Sequence, residues 1–191
     1  MDRPIRTPAR EELEARAAAV RLIVFDVDGV LTDGGLYYGP DGEALKRFDV
    51  RDGHAMALAR KAGLPCAWLT ARSSPMVELR ARELGIAIVR QGRRHKLEGL
   101  EEILGELATP PEACAYMGDD LNDLAPMARV GLPACPADAA SEVRAQALFV
   151  AHHPGGRGAA RELIELCLKA SGRWERAVED QIHPPGQGAP G

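Results

Sequence analysis

Nowhere in these 191 residues is there an apolar run long enough to span a bilayer, so no membrane-spanning segment and no membrane partner are expected. The opening stretch, MDRPIRTPAREELEARAAAV, is charged and helical in pattern and lacks the apolar core of a secretory leader; a cytoplasmic location is the expectation. Excess positive charge is missing too. Lys and Arg number 24 against 28 Asp and Glu, a net charge of −4, which gives neither nucleic acid nor an anionic membrane a surface to seek. The four cysteines, Cys66, Cys114, Cys135 and Cys167, show neither metal-binding nor disulfide spacing and read as buried, reduced thiols. No internal repeat is present. What remains, 46% hydrophobic and 27% charged, suits one globular domain with a proper core.

Short apolar runs alternate with helical stretches. Strands are predicted at 22–26, 65–69, 86–89, 113–117, 130–134 and 147–150. Helices are predicted near 53–62, 74–84, 96–107, 121–129, 140–146, 157–171 and 173–180. That order implies βαβ units and an α/β fold, a doubly wound, Rossmann-like parallel sheet that binds ligands at the carboxyl ends of its strands. The segment 34–48, GGLYYGPDGEALKRF, interrupts the alternation. Pro40-Asp41-Gly42 is a turn signal between two β-like runs and predicts a hairpin inserted after the first strand. Leu36, Tyr37, Tyr38, Leu45 and Phe48 give the hairpin an apolar surface that a partner subunit is expected to cover. Residues 1–20 form an expected helical extension, 21–171 the main domain, and 172–191 a last helix with a flexible Pro/Gly-rich tail from His183.

The polar residues that carry chemistry fall at strand ends. Asp26-Val27-Asp28-Gly29 closes the first strand, where alternation starts both carboxylates on one side and Gly29 lets the chain turn away. Two carboxylates at the end of a buried strand are costly unless a cation or substrate uses them. Asp26 suits a nucleophile that becomes an acyl phosphate. Asp28 suits the group that protonates the departing oxygen and then takes a proton from the hydrolytic water. Tyr116-Met117-Gly118-Asp119-Asp120-Leu121-Asn122-Asp123 closes another strand and can meet Asp26 to hold Mg²⁺, with Asp119 as a direct ligand. Asp120 and Asp123 either ligate or support the ligands, and Asp120 also suits a helix cap. Thr70, at a strand end, can donate to a phosphoryl oxygen. Lys96 opens a helix, where a cation is unfavourable unless an anion sits beside it.

In this order, Asp-x-Asp-Gly, Thr70, Lys96 and Gly-Asp-Asp-x-x-Asp resemble the four motifs of the haloacid dehalogenase superfamily, over residues 21–170. The resemblance implies Mg²⁺ held by Asp26, the backbone carbonyl of Asp28, and Asp119, with Thr70 and Lys96 on phosphate. Neither gap between motifs has room for a large cap, so the expected form is capless. Three further stretches, Phe48-Asp49-Val50-Arg51-Asp52-Gly53-His54, Leu69-Thr70-Ala71-Arg72 and Gly155-Gly156-Arg157-Gly158-Ala159-Ala160-Arg161-Glu162, resemble the 3-deoxy-D-manno-octulosonate 8-phosphate phosphatases. That family makes the free sugar acid of lipopolysaccharide and implies a homotetramer with hairpins around a central axis. The substrate so implied is a small anionic sugar-acid phosphate. Arg51, Arg72 and Arg157 are candidates for its oxygens, since guanidinium offers a bidentate fork. Arg51 has an alternative in pairing with Asp49 or Asp52. The glycines around Arg157 fit a loop packed closely at a subunit boundary. His54 is expected on the surface at a helix start. His152-His153 do not suit a metal, since neighbours on a strand point oppositely. Thr-Ala-Arg stands where many relatives carry Thr-Gly-Arg, and the tail past Ser171 matches less clearly, so no tail residue is given a role. Two other readings stay open: a phosphatase of a nine-carbon sialic-type acid 9-phosphate, and a non-catalytic oligomerisation domain, which would be expected to lose motif residues.

Overall fold

The computed structural model describes residues 10–183; residues 1–9 and 184–191, which hold nearly all of the expected tail, lie outside the described residues. Six short strands form a parallel sheet: β1 (Leu22–Phe25), β4 (Cys66–Leu69), β5 (Ile88–Arg90), β6 (Cys114–Met117), β7 (Leu132–Cys135) and β8 (Phe149–Val150). Their order is β5-β4-β1-β6-β7-β8, and β2 (Tyr37–Gly39) and β3 (Gly42–Leu45) pair separately as an antiparallel hairpin. The chain builds outward from β1 through β4 to β5, then returns to β6 on the other side of β1. The crevice at that reversal, above the ends of β1 and β6, is where an open α/β sheet binds ligands.

Among the described residues eight helices, α1 (Arg10–Ala18), α2 (Val50–Lys61), α3 (Pro75–Leu84), α4 (Lys96–Glu106), α5 (Leu124–Arg129), α6 (Ser141–Gln146), α7 (Ala159–Ala170) and α8 (Trp174–Ile182), surround the sheet. All four β1 side chains are buried, as a central parallel strand requires. Ile23 and Phe25 join a core with Ala17 of α1, Met56 of α2, Val77 of α3 and Leu163 of α7. Leu22 and Val24 face the other layer, with Leu100 of α4, Met127 of α5 and Val143 of α6. Each such side chain contributes roughly 1.5–3 kcal/mol by leaving water. No described helix is long and apolar enough to cross a membrane.

Several elements depart from the predicted bounds for local reasons. Helix α2 starts at Val50 because the Asp49 carboxylate accepts from Arg51 N at 2.8 Å and caps it. His54 therefore sits one turn inside the helix, exposed. The stretch 121–129 divides into a 3₁₀ turn, Leu121–Asp123, and α5, because Asp120 and Asp123 form a reciprocal cap across the turn. Gly131 donates to the Pro111 carbonyl at 2.9 Å, which delays β7 to Leu132. The hairpin leaves Tyr38 67% and Leu45 65% exposed, with Leu36 and Tyr37 also outside. Phe48, expected on that apolar surface, instead stacks on Trp68 with ring centroids 6.0 Å apart.

Candidate active site

The chain leaves β1 at Asp26, so strand alternation ends before Asp28; a turn, not the pleat, brings the two carboxylates to one cavity. Asp26 N donates to the Met117 carbonyl at 3.0 Å, tying the end of β1 to that of β6. Gly29 takes φ +88°, and a Cβ there would lie 2.0 Å from Asp119 Oδ2, so only glycine lets the two strand-end loops approach this closely. Gly155 is pressed on the same turn, where a Cβ would fall 1.8 Å from the Gly29 carbonyl oxygen. The close packing expected of these later glycines is thus satisfied within the chain.

Lys96, at the first position of α4, reaches under the site. Its ammonium is buried and lies 2.9 Å from Asp26 Oδ2 and 2.7 Å from Asp123 Oδ1. Burial alone would lower its pKa, but the two carboxylates prevail and raise it above the ordinary lysine value. Asp123 is fully buried and has no free lone-pair direction for a metal. Its Oδ1 accepts from Lys96 and from Tyr116 Oη at 2.6 Å, and its Oδ2 from the backbone N–H of Asp119 at 3.2 Å and Asp120 at 3.3 Å. Four hydrogen bonds suit it to orient the neighbouring groups. Asp120 is exposed and caps its own turn through Leu121 N at 2.8 Å.

Asp26 keeps one oxygen, Oδ2, on Lys96, while Oδ1 is buried with no hydrogen-bond partner. Burial first, then the charge of Asp123, pushes this carboxyl well above the ordinary range, against the pull of Lys96. Asp119 is pushed up to about 7, again by burial first and Asp123 next. Oxygens of Asp26, Asp119 and Asp123 come within 4.8 Å of one another. Crowded carboxylates with an unsatisfied inward oxygen fit a hard divalent cation, so Mg²⁺ suits the residues present.

Asp26, Asp28, Thr70, Arg72, Lys96, Asp119 and Asp120 line one cavity of about 170 Å³. Thr70 Oγ1 donates to Asp28 Oδ2 at 3.3 Å. The other Asp28 oxygen pairs with Lys46, a hairpin residue that sequence reasoning passed over; no local pattern marks a lysine whose partner arrives from another part of the fold. The Arg72 fork meets Glu43 of the hairpin at 3.4 Å. Arg51 and Arg157 do not line this cavity. Arg51 grips Asp49 at 3.1 Å and the Arg157 carbonyl at 2.9 Å, and the Arg157 side chain is exposed. Asp52 accepts from Gly158 N at 3.2 Å and Arg161 N at 2.9 Å, so it caps α7 from α2. His152 and His153 lie past β8, and both turn to Glu162, at 2.9 and 2.6 Å; alternation does not separate them. The four cysteines are free thiols.

The sequence profile of haloacid dehalogenase-like hydrolases matches residues 85–163. The 3-deoxy-D-manno-octulosonate 8-phosphate phosphatase KdsC of Salmonella typhi is 42% identical over 92% of this chain and 93% of its own length. The fold matches the phosphatase of that name from Moraxella catarrhalis, solved with a magnesium ion, a phosphate ion and a KDO molecule, with a TM-score of 0.87 at 35% identity over 91% of this chain and 99% of that one. A probable YrbI family phosphatase from Pseudomonas syringae pv. phaseolica matches with a TM-score of 0.87 at 44% identity, over 91% of this chain and 98% of the other.

Proposed function

Because this chain belongs to the 3-deoxy-D-manno-octulosonate 8-phosphate phosphatase family of haloacid dehalogenase-like hydrolases, we propose that its cavity releases phosphate from that eight-carbon keto sugar acid through an aspartyl phosphate on Asp26. The chain is a Mg²⁺-dependent phosphoric monoester hydrolase. The observation that carries the site assignment is the divided state of Asp26: one oxygen held by Lys96, the other buried and free.

The residues then take distinct tasks. Asp26 attacks phosphorus through one carboxylate oxygen, and the bond from phosphorus to the sugar oxygen breaks with its electron pair on that oxygen. Asp28 delivers a proton to it, then receives one from the water that opens the acyl phosphate. Lys96 holds Asp26 in line, and its charge offsets the repulsion between carboxylate and phosphate. Arg72 offers donors to substrate oxygens at the mouth, and Thr70 lines the same cavity with its hydroxyl on Asp28. Asp26, the Asp28 backbone carbonyl and Asp119 would hold Mg²⁺, which supplies positive charge against the transferring phosphoryl oxygens.

A cavity of about 170 Å³ takes the phosphoryl group but not the sugar acid, since pockets that engulf such ligands run to roughly 300 Å³ or more. The sugar body must extend outward, where this capless chain has only loops and the hairpin. The exposed Tyr38 and Leu45 suit a second copy as cover, and a homotetramer of cytoplasmic enzyme is the assembly we favour. Arg51 would reach substrate only by leaving Asp49 and the Arg157 carbonyl.

Phosphate release from 3-deoxy-D-manno-octulosonate 8-phosphate, a nine-carbon keto acid 9-phosphate and hexose phosphates, each with Mg²⁺ and with EDTA, tests the reading. A preference for the eight-carbon substrate, lost in EDTA and in Asp26→Asn, is expected. Equal rates across the panel would remove the substrate assignment, and activity surviving in Asp26→Asn would remove the nucleophile.

A further inference from the structure

We propose that Lys46 is a positioning residue for Asp28, a role that rests on the phosphatase reading above. Lys46 follows β3 directly, on a hairpin whose neighbouring side chains face solvent, yet its own side chain is 1% exposed. A lysine ammonium is strongly hydrated and does not give up water without compensation. Here it has two carboxylates, Asp28 Oδ1 and Glu43 Oε1, the latter at 3.1 Å. Glu43 in turn receives Arg72 at 3.4 Å. These four side chains thus link the hairpin to the rim of the cavity, and Lys46 is the most buried of them.

The consequence falls on Asp28. Its Oδ1 is held by Lys46 from the hairpin and its Oδ2 by Thr70 from the end of β4. Held from two sides, the carboxyl keeps one orientation at the cavity rim, where a proton donor must meet the departing oxygen within hydrogen-bond reach. Without Lys46 the carboxyl swings about Thr70 alone. A hairpin that only docked on the body would not need to bury its lysine against a carboxylate two residues from Asp26.

Leaving-group chemistry separates positioning from general support. A sugar alkoxide leaves poorly without a proton, whereas nitrophenolate leaves without one. The value of kcat/KM covers the steps up to and including that departure. The experiment compares wild type, Lys46→Met, Lys46→Arg and Asp28→Asn on the eight-carbon sugar phosphate and on p-nitrophenyl phosphate, with Mg²⁺ present. Lys46→Met is expected to lose on the order of 100-fold on the sugar phosphate and to lose at least about tenfold less on p-nitrophenyl phosphate. Asp28→Asn should show the same split, and Lys46→Arg, which keeps the cation, should recover part of the loss. Equal losses on both substrates, or no loss on the sugar phosphate, would overturn the proposal. If wild type ignores the eight-carbon substrate, the substrate assignment fails by itself, and phenyl phosphate against p-nitrophenyl phosphate poses the Lys46 question unchanged. If circular dichroism shows Lys46→Met unfolded, Lys46→Gln carries the same comparison.

Discussion

Replacing Asp123 by asparagine keeps shape and volume and alters only the charge and hydrogen-bond pattern of a wholly buried group. The carboxylate accepts four hydrogen bonds, from Lys96, Tyr116 and the backbone N–H groups of Asp119 and Asp120. An amide has one acceptor oxygen, so its NH₂ must face either the Lys96 and Tyr116 donors or the two backbone donors. Two charge-assisted bonds at about 1.5–3 kcal/mol each are lost. Relief of repulsion with Asp26 and Asp119 returns part of that, leaving a net loss of about 3 kcal/mol, at the low end for breaking a buried ion pair. For a chain of this length that lowers Tm by about 6–12 °C. Thermal melts with Mg²⁺ and with EDTA measure it. The Mg²⁺-induced rise in Tm should survive, because Asp26 and Asp119 remain. A melt within about 2 °C of wild type would refute the anchoring argument. Loss of the Mg²⁺ response would instead make Asp123 a ligand.

Asp119, raised to about 7 from the ordinary aspartate range, keeps a proton in the folded, metal-free protein that the unfolded chain gives up. EDTA-treated protein should therefore lose stability as pH rises from about 4 to 7. Protons also compete with the metal, so calorimetric titration should find Mg²⁺ bound about tenfold more weakly at pH 6 than at pH 8; equal affinities would contradict this. Gly29→Ala places a methyl 2.0 Å from Asp119 Oδ2 at a positive φ, and should cost about 1–3 kcal/mol in denaturant melts while abolishing the Mg²⁺ response. Tyr38→Glu with Leu45→Lys should leave the melt of the body within about 2 °C, since both side chains are exposed, yet shift sedimentation to smaller species. Sedimentation of wild type as monomer alone would refute the assembly.

The layout of the sheet was legible because its strands are short apolar runs bounded by helical periodicity, a pattern fixed by burial on both faces. Asp26, Thr70, Lys96 and Asp119 were legible because each sits where a strand ends or a helix begins, and the fold brings those places together. The task of Asp123 was not, since sequence offers a carboxylate near the site but not that Tyr116 and two backbone amides turn to it. Lys46 was hidden for a stronger reason: its partners lie on another loop, and on a hairpin it reads as solvated charge. Phe48 misled because it was counted with the hairpin's apolar surface, and the alternation argument for His152-His153 failed because it ran past the strand end, where turns set direction.

The contact between Gly155 and the Gly29 carbonyl, together with the hydrogen bond from Gly156 N to the Val30 carbonyl at 2.8 Å, ties the turn after β1 to a loop made much later in synthesis. Asp26, Asp28, Thr70, Lys96 and Asp119 have all been translated before that strap exists. A nascent or truncated chain ending at β7 therefore holds all five of these cavity residues and still lacks the piece that closes the turn beside them. The turn is closed only by the loop that follows the last strand, so a fragment of this enzyme can bear the whole set of motifs and remain silent.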